Sequence, residues 1–441
     1  MKKIVIGIRR EDKNKWETRV PLIPDDAAEL IRDHGFRVIV QPAKNHRAFP
    51  DSQYLAAGAE INEDLSEADI IIAVKEIPGE KFISRKAYMF FAHVIKGQPY
   101  NMPMLKAMLQ KNCTLIDYEK IVSSDGKRLI FFGRYAGIAG MVESLSAYGK
   151  RLALEGIDNP LAKIEQPHRY ASLAECVDKL KEIKAEILAK GFPHELKPFI
   201  CGITGYGNVS IGVQEIADLL PFQEITPDEL RKGLKNLPKS ETGMYKVIFK
   251  EKDMYRPKDT SKAFDLQEYF NHPERYESTF VEVAPMLSLM VNCIYWAQAY
   301  PRLLTKKDIR TLYKSSDSRL KVIGDISCDM EGSVEATIIA TDLDEPCFVY
   351  DVDKDCAVTG FVGNGPTIMS IENLPCEIPI ESSSGFSSVL KKLFLGMQYA
   401  DFTKPLDQIG LPEEIKGAVI ALNGKLTPKY EYIEKSLREH A

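Results

Sequence analysis

The chain contains 441 residues, 44% of them hydrophobic and 27% charged, with a formal net charge of −5. A chain of this length exceeds a single hydrophobic core, so we expect two or three domains. The mildly acidic balance excludes a basic field for nucleic acid or an anionic membrane surface. No apolar run approaches the roughly 20 residues of a membrane span, so we expect no membrane partner either.

The cysteines and histidines are not spaced as in disulfide or metal frameworks. The eight cysteines are scattered singly without a C-x-x-C pair, and the seven histidines show neither H-x-x-x-H nor H-E-x-x-H. We therefore predict reduced thiols and no metal site. Residues 1–3 lead directly into an apolar strand without the apolar core of a secretory signal, which favours a cytoplasmic protein.

Strand and helix patterns alternate along the first 120 residues. Helix patterns begin at Pro24 and run again through 104–109. Strands are predicted at 4–9, 37–41, 69–75, 88–93 and 113–118. Strands that alternate with helices indicate a parallel sheet with right-handed crossovers.

A second alternating unit follows two long helix patterns at 134–153 and 171–190. Its strands are predicted from apolar runs at 198–203, 286–296, 320–326 and 347–352. The polar segment 240–280 is predicted to be an irregular insertion. The tail, 370–441, is mixed and helical.

Two strands of the first unit run directly into a basic side chain. The apolar run 68–74 ends at Lys75, and the run 88–92 ends at His93. Ligands of open α/β sheets gather at the carboxyl ends of parallel strands. Burial can bring the pKa values of a lysine and a histidine toward neutrality, so that both can transfer protons. Lys75 and His93 are therefore the predicted catalytic pair.

Further charged and polar residues lie close to these strand ends. The set comprises Arg9, Arg19, Lys96, Gln98, Asp117 and Glu119. Several cations and two carboxylates at one sheet edge suit a small zwitterionic or dicarboxylate substrate.

A glycine-rich turn follows the predicted strand 198–203 and precedes a helix. Its glycines permit a tight turn, and the helix N-terminus favours a pyrophosphate. Ser210 replaces the third glycine of G-x-G-x-x-G, and is small enough for close packing. Contacts with a dinucleotide are predicted at Gly202, Gly205, Gly207, Asn208 and Val209.

The dinucleotide fingerprint places an acidic ribose ligand about 20 residues further on. Here the next predicted strand, 222–226, ends at Thr226 and Pro227, so this carboxylate is missing. Its absence removes the repulsion of a 2′-phosphate, which slightly favours NADP over NAD.

Many ordered motifs resemble those of the saccharopine-forming enzymes. They occupy 9–11, 19–22, 74–78, 91–98, 115–119, 132–137, 204–210, 272–276, 292–296, 325–327 and 370–375. The chain is most similar to the lysine–2-oxoglutarate reductase half of bifunctional aminoadipic semialdehyde synthases, and more distantly to lysine-forming saccharopine dehydrogenases of fungi. The broader superfamily is that of alanine dehydrogenase and transhydrogenase.

The resemblance implies an oxidoreductase of lysine metabolism that interconverts lysine, 2-oxoglutarate and NAD(P)H with saccharopine and NAD(P)+. It implies acid/base roles for Lys75 and His93. It further implies substrate contacts at Arg9, Gln98, Arg128 and Phe132, and cofactor contacts at Gly205, Tyr206, Asp325, Ile326 and Ser327. A saccharopine-cleaving half is expected to be absent. An amino-acid dehydrogenase of the alanine dehydrogenase type and a non-catalytic dinucleotide-binding regulator remain alternatives.

The combined pattern predicts an α/β fold of two Rossmann-like domains, with parallel sheets flanked by helices and an interdomain cleft. Residues 1–133 and 370–441 are expected to form the substrate and catalytic domain. Residues 134–369 are expected to form the NAD(P)-binding domain, with the insertion near 240–280. The oligomeric state is not predicted.

Overall fold

The computed structural model describes residues 3–44, 46–315 and 318–440, which form two compact units. The first unit comprises the described residues up to Phe132 and those from Pro379 onward. The second unit is Gly133–Ile378. No helix in the described part of the chain is long and apolar enough to cross a membrane.

The first unit begins with alternating strands and helices. They are β1 (Val5–Ile8), α1 (Pro24–Arg32), β2 (Arg37–Val40), α2 (Asp51–Ala56), β3 (Glu60–Ile61), β4 (Ile70–Ile72), β5 (Ala87–Phe90), α3 (Met102–Gln110) and β6 (Thr114–Asp117). Proline fixes the first helical φ of α1, and Asp25 and Asp26 in its first turn complement the positive end of the helix dipole.

The second unit contains the longest helix and most of the strands. Its elements are α4 (Gly133–Leu154), α5 (Leu173–Lys190), β7 (Phe199–Thr204), α6 (Asn208–Ala217), β8 (Gln223–Ile225), α7 (Pro227–Arg231), β9 (Met244–Phe249), α8 (Glu251–Met254), β10 (Tyr255–Pro257), α9 (Leu266–Asn271), β11 (Tyr276–Ser278), β12 (Leu289–Asn292), α10 (Lys306–Lys314), β13 (Val322–Asp325), β14 (Cys347–Asp351), β15 (Cys356–Thr359) and β16 (Thr367–Met369).

The chain then returns to the first unit. The returning elements are α11 (Pro379–Gly396), α12 (Glu413–Lys416), β17 (Val419–Leu422), β18 (Lys425–Leu426) and α13 (Glu434–His440). The second unit thus extends to Ile378, beyond the predicted boundary at residue 369. The reason is that the 3₁₀ turn Leu374–Glu377 packs on α4, where Leu374 lies against Gly140.

The sheet of the first unit has the strand order β18-β17-β6-β5-β4-β1-β2-β3. Strands β1 to β6 are parallel, and β17 joins β6 in the antiparallel direction. Because β1 pairs with β2 on one side and with β4 on the other, the chain changes direction across the sheet at β1. Ligands of open α/β sheets bind at such switch points, outside the carboxyl ends of the strands.

The sheet of the second unit has the order β15-β14-β16-β13-β12-β7-β9-β8. Strands β7, β8, β9, β12, β13 and β16 are parallel, whereas β14 is antiparallel to both of its neighbours. The switch point lies between β7 and β12, directly after the strand that enters the glycine turn.

The prediction of an irregular insertion at 240–280 is wrong at its start. Residues 244–249 form β9, which pairs along its full length with β7. The apolar pattern of this strand is interrupted by Lys246, whose side chain is buried. Its ammonium lies 2.6 Å from Asp218 and 3.0 Å from Glu224, so two carboxylates neutralise its charge. This lysine interrupts the apolar run from which the strand could have been predicted.

Glycines allow α4 and α6 to pack backbone against backbone. A Cβ added at Gly137 would lie 1.9 Å from the carbonyl oxygen of Val209, and one at Gly212 would lie 2.0 Å from that of Arg134. Heavy atoms this close overlap, and neither helix backbone can give way easily. Close contact with α4 therefore fixes the start of α6 and the turn before it.

Replacing Gly212 with alanine is expected to destabilise the protein. Overpacking typically costs about 1–3 kcal/mol, which exceeds the roughly 1 kcal/mol that alanine gains over glycine within a helix. Urea unfolding measures the difference. The control is Gly417→Ala, where the nearest atom would lie 3.5 Å away and φ is −63°. Equal stability of the two variants would contradict the close packing of α4 on α6.

Candidate functional site

The predicted catalytic pair follows two paired strands of the first unit. β4 and β5 are parallel with Ile72 opposite Met89, and the pairing continues through the bond from the Phe91 N–H to the Val74 carbonyl (3.1 Å). Lys75 and His93 therefore leave the same edge of the sheet from adjacent strands. The prediction that these residues follow neighbouring strands is confirmed.

A buried carboxylate holds the turn that carries Lys75. Glu11 accepts hydrogen bonds from the backbone N–H groups of Val74 (2.6 Å) and Lys75 (3.1 Å). Because Glu11 follows β1, these bonds span the switch point between β1 and β4. Burial and the nearby charge of Glu17 raise the pKa of Glu11 to about 7. Burial of Glu11 costs free energy, and its two hydrogen bonds hold the backbone at Lys75 in place.

His93 is oriented by a second carboxylate. Its Nδ1 lies 2.6 Å from Oε1 of Glu76. Burial alone would raise the pKa of Glu76, but the hydrogen bond and charge of His93 outweigh it and lower this pKa to about 2. The ionised carboxylate favours the neutral tautomer that carries its proton on Nδ1. In this tautomer Nε2 is unprotonated and can accept a proton.

The backbone at His93 has a left-handed conformation, with a φ of 48°. Non-glycine residues rarely adopt it, and such strain concentrates at functional sites. The side-chain amide of Asn101 donates to the carbonyls of Ala92 (3.0 Å) and His93 (3.3 Å), which holds the turn in this conformation.

Arg9 lies on the strand beside Lys75, but its side chain is engaged elsewhere. Its guanidinium donates to Asp12 (2.6 Å) and to the carbonyl of Arg10 (2.7 Å). Arg9, Asp12 and Lys81 help to line a cavity of about 310 Å³, and neither Lys75 nor His93 lines it. The structure therefore brings the backbone of Arg9 to the predicted edge and directs its guanidinium to this cavity.

Arg19 and Phe132 lie together in an aromatic cluster. The guanidinium of Arg19 is 4.2 Å from the centre of the Phe132 ring and makes two hydrogen bonds to Glu17, of 2.8 and 2.5 Å. Phe132 also contacts Phe91 at 6.1 Å, and Phe91 stacks on His93 at 6.3 Å. The cluster thus connects two predicted substrate residues to the imidazole.

The remaining predicted substrate residues form two local pairs. Arg128 donates to Glu119 at 2.6 Å, and this pair is partly exposed. The Gln98 side chain accepts from the backbone N–H of Lys96 at 3.0 Å. These contacts place the first pair beyond β6 and the second beyond β5, on the loops that follow the carboxyl edge.

The glycine turn of the second unit has the geometry that the sequence predicts. Gly205 has a φ of 84°, and Gly207 is the N-cap of α6. No atom of the described residues lies within 4 Å of a Cβ added at Gly207, so open space faces its backbone. Tyr206 and Asn208 are exposed beside it, and Val209 is half-buried.

Gly202 has a different role from the one predicted. It lies inside β7, where a Cβ would come 2.7 Å from Leu287. Its small size is therefore needed for core packing, and the turn proper begins at Gly205. Gly205 and Gly207 alone form the G-x-G of the turn, so this spacing distinguishes them from Gly202 in the strand.

Asp325 belongs to a buried polar network at the ends of β7, β12 and β13. Thr204 donates to Asn292 (2.8 Å), Asn292 donates to Asp325 (2.8 Å), and Thr337 donates to the other Asp325 oxygen (2.6 Å). Both carboxylate oxygens are thus engaged inside the protein. The Asp325 side chain therefore positions the strand ends. The predicted cofactor contact of Asp325 would have to be made by its backbone.

Ile326 and Ser327 leave β13 next to this network. Ile326 is buried against Gly140 of α4, and the Ser327 hydroxyl donates to the carbonyl of Ile294. Both residues therefore lie at the carboxyl edge where the fingerprint predicts the dinucleotide.

The strand predicted at 222–226 is not the neighbour of the glycine-turn strand, so the prediction of a missing ribose carboxylate rests on the wrong strand. β8 is the edge strand and pairs with β9, whereas β9 is the neighbour of β7. The residues that follow the neighbouring strand are Lys250 and Glu251, and not Thr226. The Lys250 ammonium lies 5.5 Å from the centre of the Tyr206 ring, which joins the two turns.

Known proteins were compared with the chain. Residues 7–139 match the family model of the alanine dehydrogenase/PNT N-terminal domain. The chain is 37% identical over 455 residues to mitochondrial alpha-aminoadipic semialdehyde synthase of Bos taurus, covering 100% of this chain and 49% of that protein. The chain is a relative of the aminoadipic semialdehyde synthases. It spans about half the length of these synthases.

Two further similarities extend over most of both chains. Saccharopine dehydrogenase (NAD(+), L-lysine-forming) of Yarrowia lipolytica is 25% identical, covering 90% of this chain and 93% of that protein. A solved structure of L-alanine dehydrogenase has a TM-score of 0.63 at 16% identity, covering 99% of this chain and 100% of that chain. The predicted α/β fold of two Rossmann-like domains is confirmed.

Sequence reasoning missed the acidic residues that hold the site. Glu11 and Glu76 lie in the quoted motifs, one or two positions from the residues that were assigned roles. Asp117 was noted at a strand end but was not assigned a role. In the structure it is fully buried, and its Oδ2 has no hydrogen-bond partner among the described residues. Glu11 and Glu76 each directly follow a basic residue at a strand end, and this adjacency was the signal available in the sequence.

Asp117→Asn is expected to stabilise the protein above pH 6 and not below pH 4. Burial raises the pKa of Asp117 to about 6 in the folded protein, so folding loses stability as the pH rises from the ordinary carboxyl range through 6. The asparagine removes this loss, which is at most about 3 kcal/mol. Urea unfolding at several pH values measures it.

Asp407→Asn is the matched control, since Asp407 is an exposed residue of the same unit and its removal relieves no burial. A stability difference between Asp117→Asn and the wild type that does not grow between pH 4 and pH 6 would contradict the assignment.

Proposed function

We propose that the protein condenses the ε-amine of lysine with the keto group of 2-oxoglutarate and reduces the product to saccharopine with NAD(P)H. The observation that carries the proposal is the placement of Lys75 and His93 on adjacent strand ends, each held by its own carboxylate. The names of the semialdehyde synthase and saccharopine dehydrogenase relatives support the same reaction.

Proton transfer is the task of the first unit. The amine adds to the keto carbon and must lose a proton, while the carbonyl oxygen gains protons and leaves as water. Lys75 and His93 can accept and return these protons from two directions. Glu76 stabilises the imidazolium that forms when His93 accepts a proton, and Glu11 keeps the Lys75 backbone in position.

Substrate recognition is assigned to the cationic residues of the first unit. The product has three carboxylates, and guanidinium groups bind carboxylates in a bidentate manner. Arg128 is half-exposed and paired only with Glu119 among its described ion pairs, so a substrate carboxylate can compete for it. The Gln98 loop can supply further contacts, whereas Arg19 orients Phe132. Arg9 can contribute only if its guanidinium leaves Asp12.

The second unit is proposed to bind the dinucleotide. The open backbone at Gly207 and the N-terminus of α6 fit a pyrophosphate. When bound, the reduced nicotinamide supplies the hydride that the reaction needs. Gly205, Tyr206 and Asn208 would hold the dinucleotide at this turn.

A preference for NADPH is supported by Lys250. The strand next to the glycine-turn strand delivers the residue that meets the adenosine ribose. Here Lys250 and Glu251 follow that strand. Lys250 is exposed, its ammonium lies 5.5 Å from the centre of the Tyr206 ring, and an ammonium attracts a 2′-phosphate. The cytoplasmic location predicted from the sequence stays a prediction, and the mammalian relatives are named as mitochondrial proteins.

The double variant Lys75→Met with His93→Gln is expected to lose at least about 10⁴-fold in turnover with lysine and 2-oxoglutarate, because two proton-transfer groups are removed. NADPH binding, followed by fluorescence, should remain close to that of the wild type. Turnover within tenfold of the wild type would refute the catalytic assignment.

Lys250→Gln is expected to raise the KM for NADPH about tenfold or more while the KM for NADH changes little, since one charge-assisted contact is lost. Steady-state kinetics with both cofactors measure the ratio. Lys252→Gln, an exposed lysine two positions away, is the control. Equal effects on both cofactors would assign the 2′-phosphate to other residues.

A further inference from the structure

Three potential metal ligands meet inside the second unit. Glu143 comes from α4, His168 from the 3₁₀ turn Pro167–Arg169 and Glu377 from the 3₁₀ turn Leu374–Glu377. One ligand atom from each lies within 4.8 Å of the other two. Nδ1 of His168 is 3.1 Å from Oε2 of Glu377.

The two carboxyl groups are buried with incomplete hydrogen bonding. Glu143 is 1% exposed and Glu377 is 2% exposed. Oε1 of each residue has no hydrogen-bond partner among the described residues. Buried polar atoms in folded proteins are nearly always satisfied. The two carboxyl groups can satisfy each other by sharing a proton, and a bound cation would take the place of that proton.

Among the residues that the structure describes, no ion pair with a lysine or arginine is recorded for Glu143 or Glu377. Lys150 is the cation that acts on both carboxyl groups, but its ammonium lies 3.7 Å from Glu165 at the surface. Burying this pair without a counter-charge is therefore costly.

We propose that Glu143, His168 and Glu377 bind one divalent cation, and that their donor set favours Zn²⁺. One imidazole nitrogen and two carboxylate oxygens match the ligands that zinc takes at about 2.0–2.2 Å. Donors around a tetrahedral zinc lie roughly 3.3 Å apart at these bond lengths, so only small side-chain movements are required.

The cation would join α4 to the two 3₁₀ turns. The second turn ends at Glu377, one residue before the second unit ends at Ile378. His168 is 15% exposed in its side chain, which gives a cation a route from solvent. The role of the site is therefore structural, and it is independent of the proposed reaction. The sequence does not predict this site, because its ligands are 25 and 209 residues apart and match no short metal-binding motif such as H-x-x-x-H.

The test uses the full chain, freed of metal by chelation and then titrated with ZnCl₂. Zinc should raise the Tm of the wild type, and elemental analysis after gel filtration should find one zinc per chain. Glu143→Gln should lose both the zinc and the zinc-dependent rise in Tm. Glu182→Gln, an exposed substitution on α5, should behave as the wild type.

Glu143→Gln replaces a buried carboxyl group with a neutral amide of nearly the same size, so the metal-free variant should fold about as well as the metal-free wild type. His168→Gln is the second variant and should give the same loss of zinc. No stoichiometric zinc in the wild type, or an equal rise in Tm for the wild type and Glu143→Gln, would overturn the proposal and leave a shared proton to join the carboxyl groups.

Discussion

Carboxylates that hold the residues at the strand ends are the constraint on which the candidate active site depends. Parallel pairing of β1, β4 and β5 brings three strand ends to one edge, but pairing alone leaves the following turns free to vary. Glu11 fixes one turn through two backbone N–H groups, and Glu76 fixes the His93 ring. Charged acceptors make stronger hydrogen bonds than neutral ones, which suits them to hold strained turns.

In the second unit too, an acidic side chain holds strand ends, and its hydrogen-bond donors are neutral side chains. Thr204, Asn292 and Asp325 connect three strand ends through side-chain hydrogen bonds. Burial raises the pKa of Asp325 to about 6 although Thr337 and Asn292 donate to it. In both units the chain buries acidic groups at the edge where chemistry is expected, and such costs are typical of functional sites.

The sequence predicted what depends on local pattern and missed what depends on pairing. Buried strands such as Ile70–Ile72 and the glycine turn have short, strong signals, and both were found. β9 was missed because Lys246 breaks its apolar run, and only the carboxylates of Asp218 and Glu224 make that lysine compatible with burial.

Roles of individual side chains were harder to predict than their positions. Lys75 and His93 were found because each follows an apolar run, but the direction of the Arg9 guanidinium depends on Asp12. The strand order of the second unit placed Lys250, and not Thr226, beside the glycine turn. No spacing rule could have joined Glu143 to Glu377, since tertiary packing alone brings them together.

The most direct measurement of the central claim is an initial-rate assay of NADPH oxidation with pairs of amine and keto acid, with the product identified by mass spectrometry. The account predicts oxidation that requires both lysine and 2-oxoglutarate and yields saccharopine. Oxidation with ammonia and pyruvate, but none with lysine and 2-oxoglutarate, would contradict it.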